Sequence, residues 1–323
     1  MTISAKIIAD SIDPNGRRIT TYELEYPRFI HSEFMTHRLF SRNAASSRAI
    51  PIDKAIRLIL EDTAAPSHWG KNQPGMSAKE EQDEPIQLTK GTRYSISRLG
   101  AWNWARDRAV EAATAFADAK YHKQIINRLL EPFSHIKVVV TATEYDNFFW
   151  LRNHADAQPE IKILAEKMLE ARSKSFPKLL RPGDWHVPYY KGGHWFASGY
   201  ARGKELEEVD DKRGGSTLKE ALAISSSCCA QVSYRVLDDS LEKAQDIFRR
   251  LIDAKPVHAS PFEHQATPMK TLYDETEGPV YNWDEGVTHI DRYNNGWSGN
   301  FRGWIQHRQL IEDNVCWDYH EHQ

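Results

Sequence analysis

Residues 4–26 read SAKIIADSIDPNGRRITTYELEY and predict two antiparallel strands, at 4–11 and 18–26. In the second strand, Tyr22 and the apolar residues after it alternate with glutamates, which is the period of a strand with one buried face. The sequence DPNG at 13–16 is a strong turn signal between the strands. This predicted β-hairpin indicates an antiparallel sheet.

Apolar residues at helical spacing predict helices downstream of the hairpin. The predicted helical segments are 51–62, 102–130, 160–171, 218–237 and 240–254. Because these helices accompany a hairpin without regular strand–helix alternation, we expect the α+β class, with an antiparallel sheet flanked by helices.

Two sequences have the form of a helix capping box, in which a side chain at the N-cap pairs with a glutamate three residues later. Thr141 and Glu144 predict the start of a helix in the middle of the chain. Asp239 and Glu242 predict the start of the last predicted helix.

Three segments rich in glycine, proline or polar residues predict irregular structure. Residues 64–88 predict a loop, and residues 175–216 predict a long connection with two Gly-Gly pairs. The tail after Lys270 is polar, aromatic and also predicted to be loop-rich.

The bulk composition narrows the functional class. Hydrophobic residues make up 40% of the chain and charged residues 27%, which is typical of a globular protein with a buried core. The net charge of -3 does not indicate a nucleic-acid or membrane partner, and no apolar run is long enough for a membrane helix. The N-terminus lacks a signal-peptide pattern and the 3 cysteines form no disulfide framework, so we expect a cytoplasmic protein.

A dense set of hydrogen-bond donors follows the hairpin. Residues 36–48 read THRLFSRNAASSR, with three arginines, three serines, a histidine and an asparagine. Guanidinium forks and hydroxyls suit phosphate groups and planar amide-like rings. The alternative is a solvated loop without a ligand, which is the reading we favour for Arg42 alone. For the whole run, the sequence predicts a ligand site.

This segment resembles the signature of the flavin-dependent thymidylate synthases, Arg-His-Arg followed several residues later by Ser-x-Arg. The resemblance implies that His37, Arg38 and Asn43 lie along the flavin. It also implies that Ser46 and Arg48 hold the phosphate of the substrate.

Two arginines downstream extend the resemblance. Arg128 lies in a segment similar to the family's Arg-x-x-Leu-Pro phosphate contact, and Arg152 precedes Ala-Gln-Pro-Glu-Ile, which is similar to the family's pyrimidine-binding segment. The resemblance implies that Asn147 touches the flavin. Taken singly, each arginine could be an ordinary helix-surface charge.

A third segment, HASPFEH at 258–264, resembles the family's flavin-binding His-x-Ser/Thr-Pro-Phe-Glu-His sequence. The resemblance implies flavin contacts for His258, Ser260 and Glu263. Ser233, in the sequence AQVSY, resembles a residue of the family's N-terminal Ala-Arg-Val-Ser segment, and it is a further expected flavin contact.

In the family, both of these segments precede the Arg-His-Arg motif, whereas here they follow it. Placing residues 218–265 before Thr20 restores the family order, so we expect a circularly permuted flavin-dependent thymidylate synthase-like fold. We expect a single domain over residues 1–323, divided into a nucleotide-binding part at 1–172, a connection at 173–216, a permuted flavin-binding part at 217–268 and an extra tail at 269–323.

The resemblance implies a methyltransferase that makes dTMP from dUMP. Methylenetetrahydrofolate supplies the carbon, FAD is the cofactor, and NADPH is the reductant. Arg152 is the expected catalytic residue, which stabilises charge on the uracil ring. Family members are homotetramers with shared active sites, so we expect the same assembly here. No cysteine nucleophile is needed, and Cys228 and Cys229 are expected to be small buried residues.

Three alternatives stay open. Thr36, Ala44 and Asp156 depart from the family's residues, which favours a related reaction such as hydroxymethylation of another pyrimidine nucleotide. A second alternative is a non-catalytic nucleotide-binding paralogue. A third is a metal-dependent hydrolase, but no pair of histidines has a recognised ligand spacing, so no metal is expected. The histidines considered are His186, His194, His320 and His322.

Overall fold

The N-terminal hairpin is present as predicted. The computed structural model describes residues 1–75, 78–89, 94–198, 210–233, 238–274, 278–281 and 283–317. Strands β1 (Ser4–Ile12) and β2 (Arg18–Pro27) pair antiparallel across the turn. Asp13 closes this turn, because its Oδ1 accepts the backbone N–H groups of Asn15 (2.9 Å) and Arg17 (2.7 Å).

The described residues contain twelve further strands. They are β3 (Ser41–Ala44), β4 (His135–Ala142), β5 (Lys178–Leu179), β6 (Trp185–His186), β7 (His194–Trp195), β8 (Ala266–Pro268), β9 (Thr271–Asp274), β10 (Gly278–Tyr281), β11 (His289–Ile290), β12 (Gly296–Ser298), β13 (Phe301–Arg302) and β14 (Trp304–Gln306). The main sheet has the order β3-β4-β2-β1-β5, and β5 is its one parallel strand among the described pairings. A second sheet has the order β14-β8-β6-β7 and joins three distant parts of the chain.

Helices flank the sheets. They are α1 (His31–Phe34), α2 (Ile52–Glu61), α3 (Arg98–Asp118), α4 (Lys123–Leu130), α5 (Asp146–Arg152), α6 (Pro159–Ser173), α7 (Leu218–Ala230) and α8 (Leu241–Ile252). The predicted α+β class with a flanked antiparallel sheet is confirmed. The predicted helix at 102–130 is two helices, separated near Lys120, whose φ is 65°. Helix α7 ends at Ala230, earlier than the predicted end at 237.

The predicted capping box at Thr141 is wrong. Thr141 lies inside β4, and the next helix, α5, has Tyr145 at its N-cap without a side-chain cap. The Thr141 hydroxyl is instead hydrogen-bonded to two residues distant in the sequence, as described below. The last helix is also capped differently, because the side chain of Ser240, not Asp239, accepts the backbone N–H of Lys243 at 3.4 Å.

The main core lies between the five-stranded sheet and helices α5 and α6. It includes Tyr22, Leu24 and Val138 from the sheet and Leu164 and Met168 from α6, all of them fully buried. Burial of each such side chain contributes roughly 1.5–3 kcal/mol. This core holds β2, β3 and β4 rigidly beneath the loops that carry the predicted site residues.

In its described part, the predicted connection at 175–216 contains the short strands β6 and β7. Trp195 is fully buried in a second core with Trp185 and residues of α7 and α8. Gly193 has a φ of 92°, and a Cβ there would lie 2.5 Å from the Cβ of Ala9, so this segment packs directly against β1. The sequence predicted only a long connection here, because periodicity gives no signal for two-residue strands such as β6 and β7. Among the described residues, no helix is long and apolar enough to cross a membrane.

Candidate functional site

Arg152 and His37 form the first polar cluster. Arg152, at the end of α5, donates from Nε to Nε2 of His37 at 3.0 Å. Its terminal nitrogens lie 3.5 Å from Oε2 of Glu33 and 3.3 Å from Oγ1 of Thr36. The His37 ring also packs edge-on against Phe148 at 4.8 Å between centroids. The guanidinium is therefore held by the loop that carries the Arg-His-Arg-like motif.

His37 is neutral near neutral pH. Burial, and then the positive charges of Arg152 and Arg42, lower the pKa of His37 to about 4. A neutral imidazole can accept the Arg152 hydrogen bond at Nε2, and it then carries its proton on Nδ1. The Arg152 guanidinium, which is paired with Glu33, thus lies beside a neutral ring.

Arg42 has a structural role, contrary to the expectation of a solvated charge. Its Nη1 donates to the backbone carbonyls of Phe34 (3.3 Å), Met35 (3.1 Å) and His37 (3.1 Å). These carbonyls lie at the end of α1 and in the turn after it, and those of Phe34 and His37 also accept backbone N–H groups within that turn. Arg42 therefore fixes the loop in which His37 and Arg38 lie.

A second cluster brings together the residues predicted to hold phosphate. Asn127 of α4 donates from Nδ2 to the carbonyls of Ser47 (2.7 Å) and Ile50 (2.9 Å). Arg48 follows Ser47 and Arg128 follows Asn127, so the two arginines lie on adjacent elements. Both arginines are exposed, and within the described residues neither makes a hydrogen bond or ion pair. Two cations are thus available to an anionic ligand.

The first cluster lies on α1, the turn after it and α5, whereas the second lies on the turn Ser47–Ala49 and α4. Ser46 precedes the short turn Ser47–Ala49 and is half-buried. The strand β3 lies between the two clusters in the sequence, and its pairing with β4 fixes its position in the sheet.

A third cluster joins β3 to the C-terminal tail. Ser41 and Asn300 are hydrogen-bonded side chain to side chain, and Gln306 donates to Ser41 at 3.2 Å. Gln306 also donates to the carbonyl of Glu263 at 3.3 Å, and the Glu263 carboxylate pairs with Arg308. The predicted flavin contact Glu263 is therefore engaged by a residue of the tail.

Asn43 connects the same region to α7. Its Nδ2 donates to the carbonyl of Cys229 at 3.3 Å, while its buried Oδ1 has no partner among the described residues. Arg38, His258 and Ser260 are exposed, and no described residue bonds their side chains. Asn147 is likewise exposed on α5.

Some predicted residues cannot be placed. Ser233 ends the short turn Gln231–Ser233, and its side chain lies outside the described residues. His320 and His322 also lie outside them. Among the described residues, no group of three or more histidines, cysteines or acids could hold a metal ion. His186 and His194 bond to protein groups instead.

The two helix cysteines are buried and free, as expected. Burial raises the pKa of the Cys228 thiol to about 12 and that of Cys229 well above its ordinary value. Neither is therefore a thiolate at neutral pH, which the reaction of a cysteine nucleophile would require.

Sequence reasoning missed four residues of this region. Asn300, Gln306 and Arg308 lie in the tail, for which no pattern or resemblance indicated a role. His264 was part of the recognised HASPFEH segment but was not singled out, although it is fully buried and bonded to Thr141. Its position in that segment was the available signal.

Comparisons with known proteins match the part of the chain that contains some of these clusters. The family model described as "Thymidylate synthase complementing protein" matches residues 19–178. No curated protein matches the chain. The chain is similar to the solved structure of the UMP/dUMP methylase PolB from Streptomyces cacaoi bound with 5-Br UMP, with 16% identity and a TM-score of 0.42 over 54% of this chain and 89% of that chain. For the same methylase bound with 5-Br dUMP, the identity is 17% and the TM-score 0.38, over 54% and 90%. The family match includes the first two clusters and ends before the turn at 258–264.

Proposed function

Because the chain belongs to the thymidylate synthase complementing protein family, that of the flavin-dependent thymidylate synthases, we propose that it makes dTMP from dUMP. Methylenetetrahydrofolate is the carbon donor, FAD the cofactor and NADPH the reductant. The reaction balances as dUMP, methylenetetrahydrofolate, NADPH and a proton giving dTMP, tetrahydrofolate and NADP⁺. The observation that carries the proposal is Arg152, held at 3.0 Å from His37 inside the family segment.

The residues present fit a flavin. Asn43 Oδ1 is a buried acceptor without a partner in the described chain, which suits the N–H group of a flavin ring. The exposed cation Arg38 suits the diphosphate of FAD, and His258, Ser260 and Asn147 offer further polar contacts. FAD, when bound, supplies hydride chemistry that no amino-acid side chain provides.

The substrate phosphate belongs with the second cluster. Arg48 and Arg128 carry the positive charge, and Ser46 precedes the same turn. Because neither arginine is committed to a described protein partner, both can form charge-assisted hydrogen bonds to a phosphate. Binding of the phosphate at a fixed position orients the uracil ring, so part of the binding energy is used to align the ring for reaction.

Arg152 is the proposed catalytic residue. Its contacts with His37, Glu33 and Thr36 fix the guanidinium, so it is preorganised to stabilise negative charge on the uracil carbonyls when C5 becomes nucleophilic. His37, being neutral, does not add a competing charge at this position.

The exposed surface around Arg152 supports shared active sites. Large apolar side chains are exposed around Arg152, notably Trp150 at 75%, Met35 at 44% and Leu39 at 42%. Exposed apolar patches of this kind mark interaction surfaces. We propose that a second copy of the chain covers this surface in a homotetramer, so that one copy's Arg152 meets another copy's phosphate cluster. The free cysteines support a reducing, cytoplasmic setting.

The circular permutation is part of the same proposal. Residues 258–264 lie beside β3 and are tied to it through Gln306, and α7 is bonded to Asn43. The C-terminal segments thus meet the Arg-His-Arg-like region in space although they follow it in sequence. This proximity is what a rearranged order of family segments requires.

The absorbance spectrum of the purified protein, followed by NADPH oxidation with and without dUMP, tests the proposal. We expect a flavin spectrum and dUMP-stimulated oxidation, and in Arg152→Gln only the dUMP-stimulated oxidation should be lost or strongly reduced. Protein that cannot be reconstituted with FAD would overturn the flavoenzyme proposal. Flavin binding without dUMP-dependent oxidation would instead identify a non-catalytic paralogue.

One observation favours a second candidate, a related flavin-dependent modification such as hydroxymethylation of another pyrimidine nucleotide. Thr36 stands where the family has arginine, and its hydroxyl accepts from Arg152 at 3.3 Å. A cation is therefore replaced by a small neutral group at the predicted base-binding side. Product identification with UMP, dUMP and dCMP as substrates separates the two reactions.

A further inference from the structure

A cleft between helices α7 and α8 and the C-terminal tail lies outside the predicted site. Its volume is about 430 Å³. Small-molecule sites usually have volumes of roughly 300–1,000 Å³ and mostly apolar walls. None of the residues that line this cleft was assigned above to the flavin or the nucleotide. Its aliphatic lining residues are Leu218, Leu222, Ile252, Leu310 and Ile311.

Three aromatic side chains give the cleft flat walls. Phe248 of α8 and the ring of His307 lie nearly parallel, at 13° with 6.5 Å between their centroids. Trp185 of β6 stands almost perpendicular to His307, at 85° and 5.9 Å. Phe262, which is fully buried, packs edge-on against both Phe248 and His307. Flat walls held in this way favour a planar ring, because aromatic rings gain energy from stacked and edge-on contacts.

Two of these walls carry polar atoms without partners. Nε1 of Trp185 and Nδ1 of His307 are buried and have no hydrogen-bond partner among the described residues. The two residues are only 3% and 6% exposed, respectively. Buried polar atoms in native proteins are normally paired with protein groups, water or a ligand. The described protein therefore leaves polar groups unsatisfied at the walls of this cleft.

The cleft has a positive charge at its edge. Lys219, in the first turn of α7, is the one charged side chain among its described lining residues, because His307 is neutral near neutral pH. Burial lowers the pKa of His307 to about 4. The Lys219 side chain is exposed and makes no hydrogen bond or ion pair to a described residue. Its acidic neighbour Glu220 already accepts the backbone N–H of Thr217. An ammonium group without a protein partner suits an anionic group of a ligand.

We propose that this cleft binds a planar aromatic ring that carries a negatively charged group such as a carboxylate. The ring lies against Phe248, His307 and Trp185, and the anionic group pairs with Lys219. The site does not depend on the proposed reaction, because it uses none of the residues assigned to that reaction.

Equilibrium dialysis of the full-length chain against 2-naphthoate tests the proposal. FAD and dUMP are present in excess to keep the probe out of the proposed flavin and nucleotide sites. We expect one 2-naphthoate bound per chain, with a dissociation constant of about 1 mM or lower. A wild-type chain that does not bind 2-naphthoate would overturn the proposal.

Two related probes test the chemical class. Decahydro-2-naphthoate has the same carbon skeleton and charge but is not planar, and 2-naphthamide has the planar ring without the charge. Each should bind roughly two- to tenfold more weakly than 2-naphthoate. Equal binding of all three probes would contradict a site for an aromatic anion.

Ile311→Trp locates the bound probe, whether or not FAD and dUMP bind. Ile311 is half-buried at the cleft, so the larger side chain occupies the space proposed for the ring. The affinity for 2-naphthoate should fall roughly tenfold or more. Leu60→Trp is the matched control, since Leu60 is 49% exposed on α2 and does not line the cleft. Binding that survives Ile311→Trp unchanged would place the probe elsewhere and refute the proposal.

Lys219→Gln tests the anionic contact with a surface substitution. The affinity for 2-naphthoate should fall roughly two- to fivefold, whereas the affinity for 2-naphthamide should stay the same. Lys6→Gln is the matched control, because Lys6 is an exposed lysine of β1 without a hydrogen bond or ion pair to a described residue. An equal effect of Lys219→Gln on both probes would contradict the pairing of Lys219 with the carboxylate.

Discussion

Arg48→Gln tests the assignment of the phosphate cluster. Arg48 is exposed and has no described protein partner, so the substitution should change the free energy of unfolding by no more than about 0.5 kcal/mol. A charge-assisted hydrogen bond contributes roughly 1.5–3 kcal/mol. The affinity for dUMP should therefore fall roughly 10- to 150-fold.

The assay is a double cycle that removes the arginine from the protein and the phosphate from the ligand. Isothermal titration of wild type and Arg48→Gln with dUMP and with deoxyuridine gives four binding free energies. The effect of the substitution on dUMP binding minus its effect on deoxyuridine binding is the arginine–phosphate coupling energy. We expect deoxyuridine to bind both proteins equally. Arg57→Gln is the matched control, since Arg57 is an exposed arginine on α2 whose described partner is Glu61.

Two results would refute the assignment. Equal loss of dUMP and deoxyuridine affinity would mean that Arg48 supports the site without contacting phosphate. An unchanged affinity for dUMP would mean that the phosphate binds elsewhere. Arg128→Gln is expected to behave as Arg48→Gln does, because Asn127 holds the two elements together.

Gly193→Ala should destabilise the fold by roughly 2–5 kcal/mol, through its positive φ and the clash with β1, and an unchanged urea midpoint would contradict that packing. A thiol reagent should modify only Cys316 in the native protein and all 3 cysteines after denaturation; rapid native reaction of Cys228 would contradict its burial. Because the pKa of His37 is about 4 when folded and 6.5 when free, the unfolded chain binds the proton first, so stability should fall as the pH drops from 6.5 towards 4. Arg152→Gln should weaken this dependence in acid-unfolding titrations, because it removes one of the two positive charges that lower the pKa of His37. An unaltered pH profile would contradict this effect of the Arg152 charge.

The sequence was informative where the signal is local. Alternation at Tyr22, the turn at 13–16 and helical spacing at 160–171 predicted elements that the structure contains. His37 lies in a short contiguous motif, whereas its partner Arg152 is 115 positions away. Local patterns reflect local backbone preferences, so elements with strong periodicity are those that a single sequence reveals.

Hydrogen bonds between residues distant in the sequence could not be predicted from local patterns. Thr141 matched a capping pattern, but its hydroxyl is bonded to Thr21 and His264, respectively 120 and 123 positions away. Asn300 and Ser41 are separated by 259 positions and meet because the turn between β12 and β13 lies beside the start of β3. No spacing rule indicates such contacts, which depend on the tertiary fold.

The helix break at Lys120 was missed for a different reason. Alanine-rich residues around it have high helix propensity, and the break depends on a φ of 65° at one lysine. The buried strands at 185–186 and 194–195 were missed because two-residue strands carry no period.

Product formation under anaerobic, single-turnover conditions tests the central claim most directly. The FAD-loaded protein is reduced with one equivalent of NADPH, then mixed with dUMP and methylenetetrahydrofolate, and the nucleotides are identified by mass spectrometry while the flavin spectrum is followed. The account predicts dTMP in an amount equal to the flavin reoxidised, with both absent when dUMP is omitted. Flavin that stays reduced, or is reoxidised without any methylated nucleotide, would contradict it.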